Sequence, residues 1–169
     1  MQIKSVGVTV LEIMVTMSVA MILISVSLPS LKAFYAHARS DSNIRKIRQS
    51  IQLARNHAVA YGARVTVCPL KNKACVSNWL DNITVFTDLG MANRLDSTDQ
   101  IIQTIGPFNA KDYISYNRAA IRFQPDGLAS GTNGTLRYCP DTKNSQYSRA
   151  IIISQSGRVR FSNKVVRCP

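Results

Sequence analysis

Hydrophobic and polar positions divide the chain into three stretches with different periods. The first is an apolar run from Ile13 to Leu28 that carries no charge. Counted from Val8 it is about 20 residues long, the length an α-helix needs to cross the hydrocarbon core of a bilayer. Beyond Pro29 the apolar residues thin to one stripe. Ile44, Ile47, Ile51, Ala54, Ala58 and Tyr61 follow at steps of 3, 4, 3, 4 and 3, a helical period. Arg45, Lys46, Arg48, Gln49, Gln52 and Arg55 lie mostly off that stripe. Gly62 supplies a C-terminal stop. The pattern predicts one long helix over residues 8–62, apolar all round in its first half and amphipathic in its second, bent near Pro29. Residues 8–31 are its membrane-spanning part.

The amphipathic half needs a cover, and the remaining residues 63–169 provide short strands. Alternating, β-branched runs predict strands at Arg64–Cys68, Ile83–Thr87, Gln100–Ile105, Tyr113–Tyr116, Ala120–Phe123, Thr135–Cys139, Arg149–Ser154 and Arg158–Phe161. Pro125-Asp126-Gly127 and Ser156-Gly157 mark tight turns, and 130–134 is a flexible loop. The fold class is therefore α+β, a long N-terminal helix packed on an antiparallel β domain.

The 169 residues suffice for one anchor and one domain of ordinary size. The formal net charge is +12, which favours an anionic partner. The charge is unevenly spread. From Asp81 to Asp112 there are five Asp against Arg94 and Lys111. From Arg137 to the C-terminus there are seven cations, Arg137, Lys143, Arg149, Arg158, Arg160, Lys164 and Arg167, against Asp141 alone. The four cysteines, Cys68, Cys75, Cys139 and Cys168, form an even set that suits disulfides in an oxidising compartment. Three connectivities are open. Cys68–Cys75 with Cys139–Cys168 is preferred, the first because it closes a short loop.

Enzyme chemistry finds little support. His37 and His57 fall on the helix without a nucleophile at motif spacing, and the only Glu, Glu12, borders the apolar run. No C-x-x-C is present, so no metal site and no cofactor are expected. Asp88 to Asp99 has the outline of a calcium loop, but its sixth position is Asn93 rather than Gly, its seventh is Arg94 and its twelfth is Asp99 rather than Glu, and a solvated loop is expected.

The N-terminus carries a specific signature. A short leader with one cation, Lys4, ends at Gly7. Thr9, Leu11 and then Glu12, the fifth residue after Gly7, open the apolar run, and Pro29 is the twenty-second. These residues resemble the N-terminus of type IV prepilins, with Val8 where that family usually has Phe. A removable signal peptide fits less well, because no small-x-small cleavage site follows a short core; a plain membrane anchor leaves Glu12 unexplained. The interior resembles the GspH/FimT family of minor pilins and pseudopilins. The resemblance rests on Leu53-Ala54-Arg55-Asn56-His57-Ala58, Val65-Thr66-Val67-Cys68-Pro69, Phe123-Gln124-Pro125-Asp126-Gly127 and Ser156-Gly157-Arg158-Val159-Arg160 with Cys168.

The resemblance implies a course of events. A prepilin peptidase cuts between Gly7 and Val8 and methylates the new amine of Val8. Glu12 pairs with the N-terminal amine of a neighbouring pilin subunit, which offsets the cost of a carboxylate in lipid and sets the axial register. Cations near the membrane are denser after the apolar run than before it, which by charge alone would place the domain in the cytoplasm. The cysteines and the resemblance place it in the periplasm, on a single-pass inner-membrane anchor, and later on the pilus at the cell surface.

Gly157-Arg158-Val159-Arg160 resembles the DNA-binding element of FimT-type members of the family. In a strand, Arg158 and Arg160 share one face about 6.6 Å apart, and guanidinium forks suit phosphate. Lys164, Arg167, Arg149, Lys143 and Arg137 would widen the footprint. No base-reading module is visible, so the resemblance implies sequence-independent binding of double-stranded DNA for natural transformation. Two other roles fit the family: a FimU-like structural subunit that primes pilus assembly, and a type II secretion pseudopilin of the GspH type.

Overall fold

The computed structural model describes residues 7, 9–129, 131–164 and 166–169. The chain divides into two compact units after Tyr35. One helix, α1 (Val10–Tyr61), contributes to both.

In the first unit Thr9 caps α1. Its Oγ1 accepts the backbone N–H of Glu12 at 3.3 Å, an N-cap to N3 bond. Glu12 thereby sits in the first turn, where the helix dipole favours a negative charge. The apolar side chains that follow, from Val10 to Ile24, are largely exposed. The hydroxyls among them are satisfied inside the helix. Thr16 donates to the Ile13 carbonyl at 2.9 Å, Ser18 to Met14 at 2.6 Å, Ser25 to Ile22 at 2.8 Å and Ser27 to Leu23 at 2.8 Å. A helix meeting hydrocarbon has to satisfy its polar groups in this internal way. This part of α1 is long and apolar enough to cross a membrane. The helix continues through Pro29 without a break. Val8 and the leader before Gly7 lie outside the described residues.

In the second unit the stripe on α1 is the floor of the core. Ile44, Ile47, Ile51, Ala54 and Ala58 are buried. Tyr61 departs from the stripe: it is exposed and stacks on His57 with ring centroids 4.2 Å apart. Two antiparallel sheets cover the stripe. The first is five-stranded: β1 (Val65–Lys71) lies between β3 (Ile83–Thr87) on one side and β2 (Ala74–Cys75) and β6 (Ile121–Phe123) on the other, with β4 (Ile101–Ile105) outside β3. The second runs β5 (Tyr113–Tyr116), β7 (Gly134–Cys139), β8 (Arg149–Ile153), β9 (Val159–Phe161). The α+β expectation holds, and all eight expected strands are present. The one not anticipated is β2, a two-residue return that needs left-handed backbone at Asn72 (φ 52°) and Lys73 (φ 64°).

Val65, Val67, Ile83 and Val85 of the first sheet meet Leu136, Tyr138, Ile151, Ile153 and Val159 of the second in one core with the helix stripe. The central strands of the first sheet, β1 and β3, are buried on both faces. Cys68 and Phe86 on its far side pack with Ala120 under Leu70 and Leu95. The structure joins Cys68 to Cys75, which staples the β1–β2 return, and Cys139 to Cys168.

Polar ties hold α1 against the second sheet. Asp112, with a fully buried side chain, accepts from Arg39 at 2.9 Å, from the Tyr138 hydroxyl, and from the Asp141 backbone N–H at 3.2 Å. Asn43 donates to the same Tyr138 oxygen at 2.7 Å, and Ser40 donates to the Tyr147 carbonyl at 2.7 Å. Burial, reinforced by the Asp112 bond, raises the Tyr138 pKa well above that of a free phenol. Because the stripe is fully enclosed, Ile51→Ala should destabilise the protein by about 2–5 kcal/mol. Urea unfolding followed by tryptophan fluorescence measures this directly, since Trp79 is buried in the same core.

Candidate polyanion-binding surface

Strand alternation decides where the C-terminal cations point. In β9, Val159 is buried against the core while Arg158, just before the strand, and Arg160 are exposed. Arg160 lies opposite Ile152 of β8, and Ile152 opposite Thr135 of β7. Side chains of paired residues share a face, so Arg160 stands on the outer face of the second sheet. Arg137, two residues after Thr135 on β7, stands on that face too, about 12 Å from Arg160 once the two strand spacings and the two-residue offset are combined.

The last residues return across the end of the sheet. The Cys139–Cys168 disulfide ties them down, and the Cys168 N–H donates to the Lys143 carbonyl at 3.0 Å. Arg167 and Lys143 are thus brought close together, with Lys143 Nζ 5.7 Å from the Tyr113 ring centroid. Lys164 is exposed on the path between. Within the described residues none of Arg137, Lys143, Arg158, Arg160, Lys164 and Arg167 forms an ion pair.

Arg149 does not join them. It faces α1, with Nε 3.4 Å from Asp41 and Nη2 3.1 Å from His37. Asp41 also accepts two bonds from Arg45, at 3.0 and 3.1 Å, and these hold its carboxyl below the usual carboxylate range.

Several carboxylates are bonded within the domain. Asp88 is buried, accepts from Thr66 at 2.6 Å and lies 3.6 and 3.8 Å from Arg122 and Arg64. Asp112 and Asp141 both bind Arg39. Asp96 accepts from the Thr98 hydroxyl and backbone, which lowers its pKa, and Asp99 accepts the backbone N–H groups of Leu89 and Asp96. The acidic segment read from the sequence is therefore mostly spent on internal bonds. The Asp88–Asp99 run is a loop that ties itself together.

Three motifs separated in sequence converge beside Arg158. Arg55 on α1 donates to the Gly127 carbonyl at 3.1 Å and to the Ser156 carbonyl at 3.3 Å. It thus holds the Gly127 and Gly157 turns against each other. A Cβ on Gly157 would lie 1.9 Å from the Gly127 oxygen, and its φ of 75° is left-handed. In the sequence Arg55 belongs to a charged helix face and to the 53–58 family motif, but its role depends on contacts about 70 and 100 residues away.

A long helix, apolar at its start and packed by its later half on antiparallel sheets, is the architecture of a type IV pilin. Residues 43–157 match the family model described as Type II transport protein GspH. The chain belongs to this family, the GspH/FimT group of minor pilins and pseudopilins. Among solved structures it is similar to the type IV minor pilin FimU of Pseudomonas aeruginosa PAO1 in two crystal forms. For the P21 form the identity is 20%, covering 76% of this chain and 92% of that one, with a TM-score of 0.60. For the P65 form the values are 19%, 72%, 91% and 0.56. No curated protein matches the sequence. Family and helix together describe a membrane-anchored pilin with a soluble C-terminal domain that interacts with other pilin subunits. The family match stops at Gly157, so Arg158, Arg160, Lys164 and Arg167 lie beyond it.

Gly157→Ala should strain the double turn by at least about 1–3 kcal/mol through its left-handed backbone alone. A thermal melt should show a lower midpoint, and a neutral outcome would mean that the two turns do not need to touch.

Proposed function

We propose that this protein is a minor type IV pilin that binds double-stranded DNA through phosphate contacts and serves DNA uptake in natural transformation. The observation that carries this reading is the segregation of charge. Lys143, Arg158, Arg160, Lys164 and Arg167 are exposed and Arg137 half-exposed, all without ion-pair partners among the described residues, while Asp88 and Asp112 are buried against arginines. Such a surface attracts a polyanion over its whole extent. Arginine and lysine side chains on a sheet face contact phosphates without reading bases, so binding is sequence-independent and falls steeply with salt. Single-subunit binding need not be strong, since several copies on one fibre act together.

In this reading a prepilin peptidase cleaves between Gly7 and Val8 and methylates Val8. Glu12 then meets the amine of a neighbouring subunit. Before assembly the protein sits in the inner membrane with its domain in the periplasm, where its disulfides are stable; afterwards it is displayed on the pilus. A second reading, a pseudopilin of a type II secretion system, is favoured by the description of the matching family and by the end of that match before the basic tail.

The full chain in non-ionic detergent, titrated with a DNA duplex at several salt concentrations, separates the two. With about four phosphates engaged, log K against log salt should have a slope near −3.6. Arg158→Ala with Arg160→Ala should flatten it by about 1.8 and remove most of the affinity. Absent or salt-insensitive binding would leave a structural or secretion role. Intact mass of the protein recovered from cells should correspond to a chain beginning at a methylated Val8; a chain still carrying its leader would refute the processing.

A further inference from the structure

Polar chemistry not used elsewhere collects at the α1–β9 seam. Alternation along β9 sends Val159 and Phe161 toward the helix, opposite to Arg160. Phe161 is half-exposed, and two helix arginines lie over its ring. The Arg48 guanidinium is 4.8 Å from the ring centroid and that of Arg45 5.7 Å. Arg45 is bound to Asp41. Arg48 is different: its Nε is buried with no hydrogen-bond partner among the described residues, and it forms no ion pair there.

One helical turn further along α1, Gln52, Arg55 and Asn56 line a polar cleft of about 430 Å³ together with Gly157, Arg158 and Val159. Arg55 is committed to two carbonyls there. The cleft is left with Gln52 and Asn56 on the helix side and Arg158 on the strand side. Arg48 and Gln52 are four residues apart, so about 6 Å along the helix axis separates the ring-seated arginine from the cleft.

We propose that this seam is a second row of phosphodiester contacts, in which Arg48 binds a phosphate directly and Phe161 acts as the positioning residue that holds the guanidinium flat. Gln52 and Asn56 donate to the phosphate that Arg158 neutralises in the cleft. The inference rests on the DNA-binding reading above and extends it from the strand to the helix. It also gives Phe161 a defined task. A ring covered by arginines is not a platform for an unstacked base, so the seam suits the backbone of a duplex. The net charge of the seam is kept positive although Asp41 lies in it, because Arg45 and Arg149 both bond that carboxylate.

The test is a salt series on the full chain in non-ionic detergent with a DNA duplex as probe. Arg48→Gln should weaken binding at every salt and flatten the slope by about 1, the signature of one lost phosphate contact. Arg45→Gln should leave the slope nearly unchanged. Phe161→Leu removes no charge, so it should lower affinity while keeping the wild-type slope, and Phe161→Tyr should restore affinity. Wild-type slope and affinity in Arg48→Gln, alongside the loss in Arg158→Ala with Arg160→Ala, would overturn the helix row and leave the DNA-binding reading standing. Equal effects of Arg45→Gln and Arg48→Gln would overturn it as well, since general charge would then explain both. A wild-type chain that binds no duplex would remove the reading and the inference together.

Discussion

The apolar stripe on the second half of α1 is the constraint from which the rest follows. Ile44, Ile47 and Ile51 cannot remain in water once the helix leaves its apolar first half, and each is worth about 1.5–3 kcal/mol when covered. Both sheets answer that demand. One brings Val65, Val67, Ile83 and Val85, the other Leu136, Ile151, Ile153 and Val159. Polar side chains then fix the angle at which each sheet meets the rod. Ser50 reaches Gln103 on β4 at 2.9 Å, while Ser40, Asn43 and Arg39 reach the second sheet. Burial supplies the energy and hydrogen bonds supply the registration.

That packing has an electrostatic consequence. A carboxylate left inside must find donors, and this protein supplies arginines from the helix and from in or beside strands: Arg39 for Asp112, Arg64 and Arg122 for Asp88. Each such pair removes a negative charge from the surface along with its cation. The cations of the sheet face and the C-terminal residues stay outside, as do Lys46, Lys71, Lys73, Arg94, Lys111 and Arg118 elsewhere on the domain. Because each pair removes equal and opposite charges, the formal surplus of +12 stays at the surface, which is what long-range attraction of a polyanion requires. The Cys139–Cys168 bond and the Arg55 latch matter for the same reason. They hold exposed cations in place before any ligand arrives, so less ordering entropy is lost on binding.

Much of this was legible along the chain. A 3.6-residue period and a 2-residue period are local properties, and they located α1 and eight strands to within a few residues of their ends. Strand alternation around Val159 also separated Arg158 and Arg160 from the core correctly. Tyr61 escaped the stripe because a stripe says which side chains can be buried, not where the cover stops. Here the cover ends and the ring stacks on His57. The short strand β2 escaped because it is set by a left-handed turn at Asn72 and Lys73, residues with no glycine to announce it.

Sequence alone determined the apolar anchor, the amphipathic helix, the strand-rich domain, the family resemblance and the excess of positive charge, because each is written in neighbouring residues or in totals. Tertiary structure alone decided which charges remain free. Arg149 and Arg160 look alike in a list of basic residues, yet one faces Asp41 on the helix and the other faces solvent. The same holds for Arg55, which closes two glycine turns, and for Arg48, which rests on Phe161. The availability of a charge depends on what lies within a few ångströms of it, and for these residues those neighbours are tens to more than a hundred positions away.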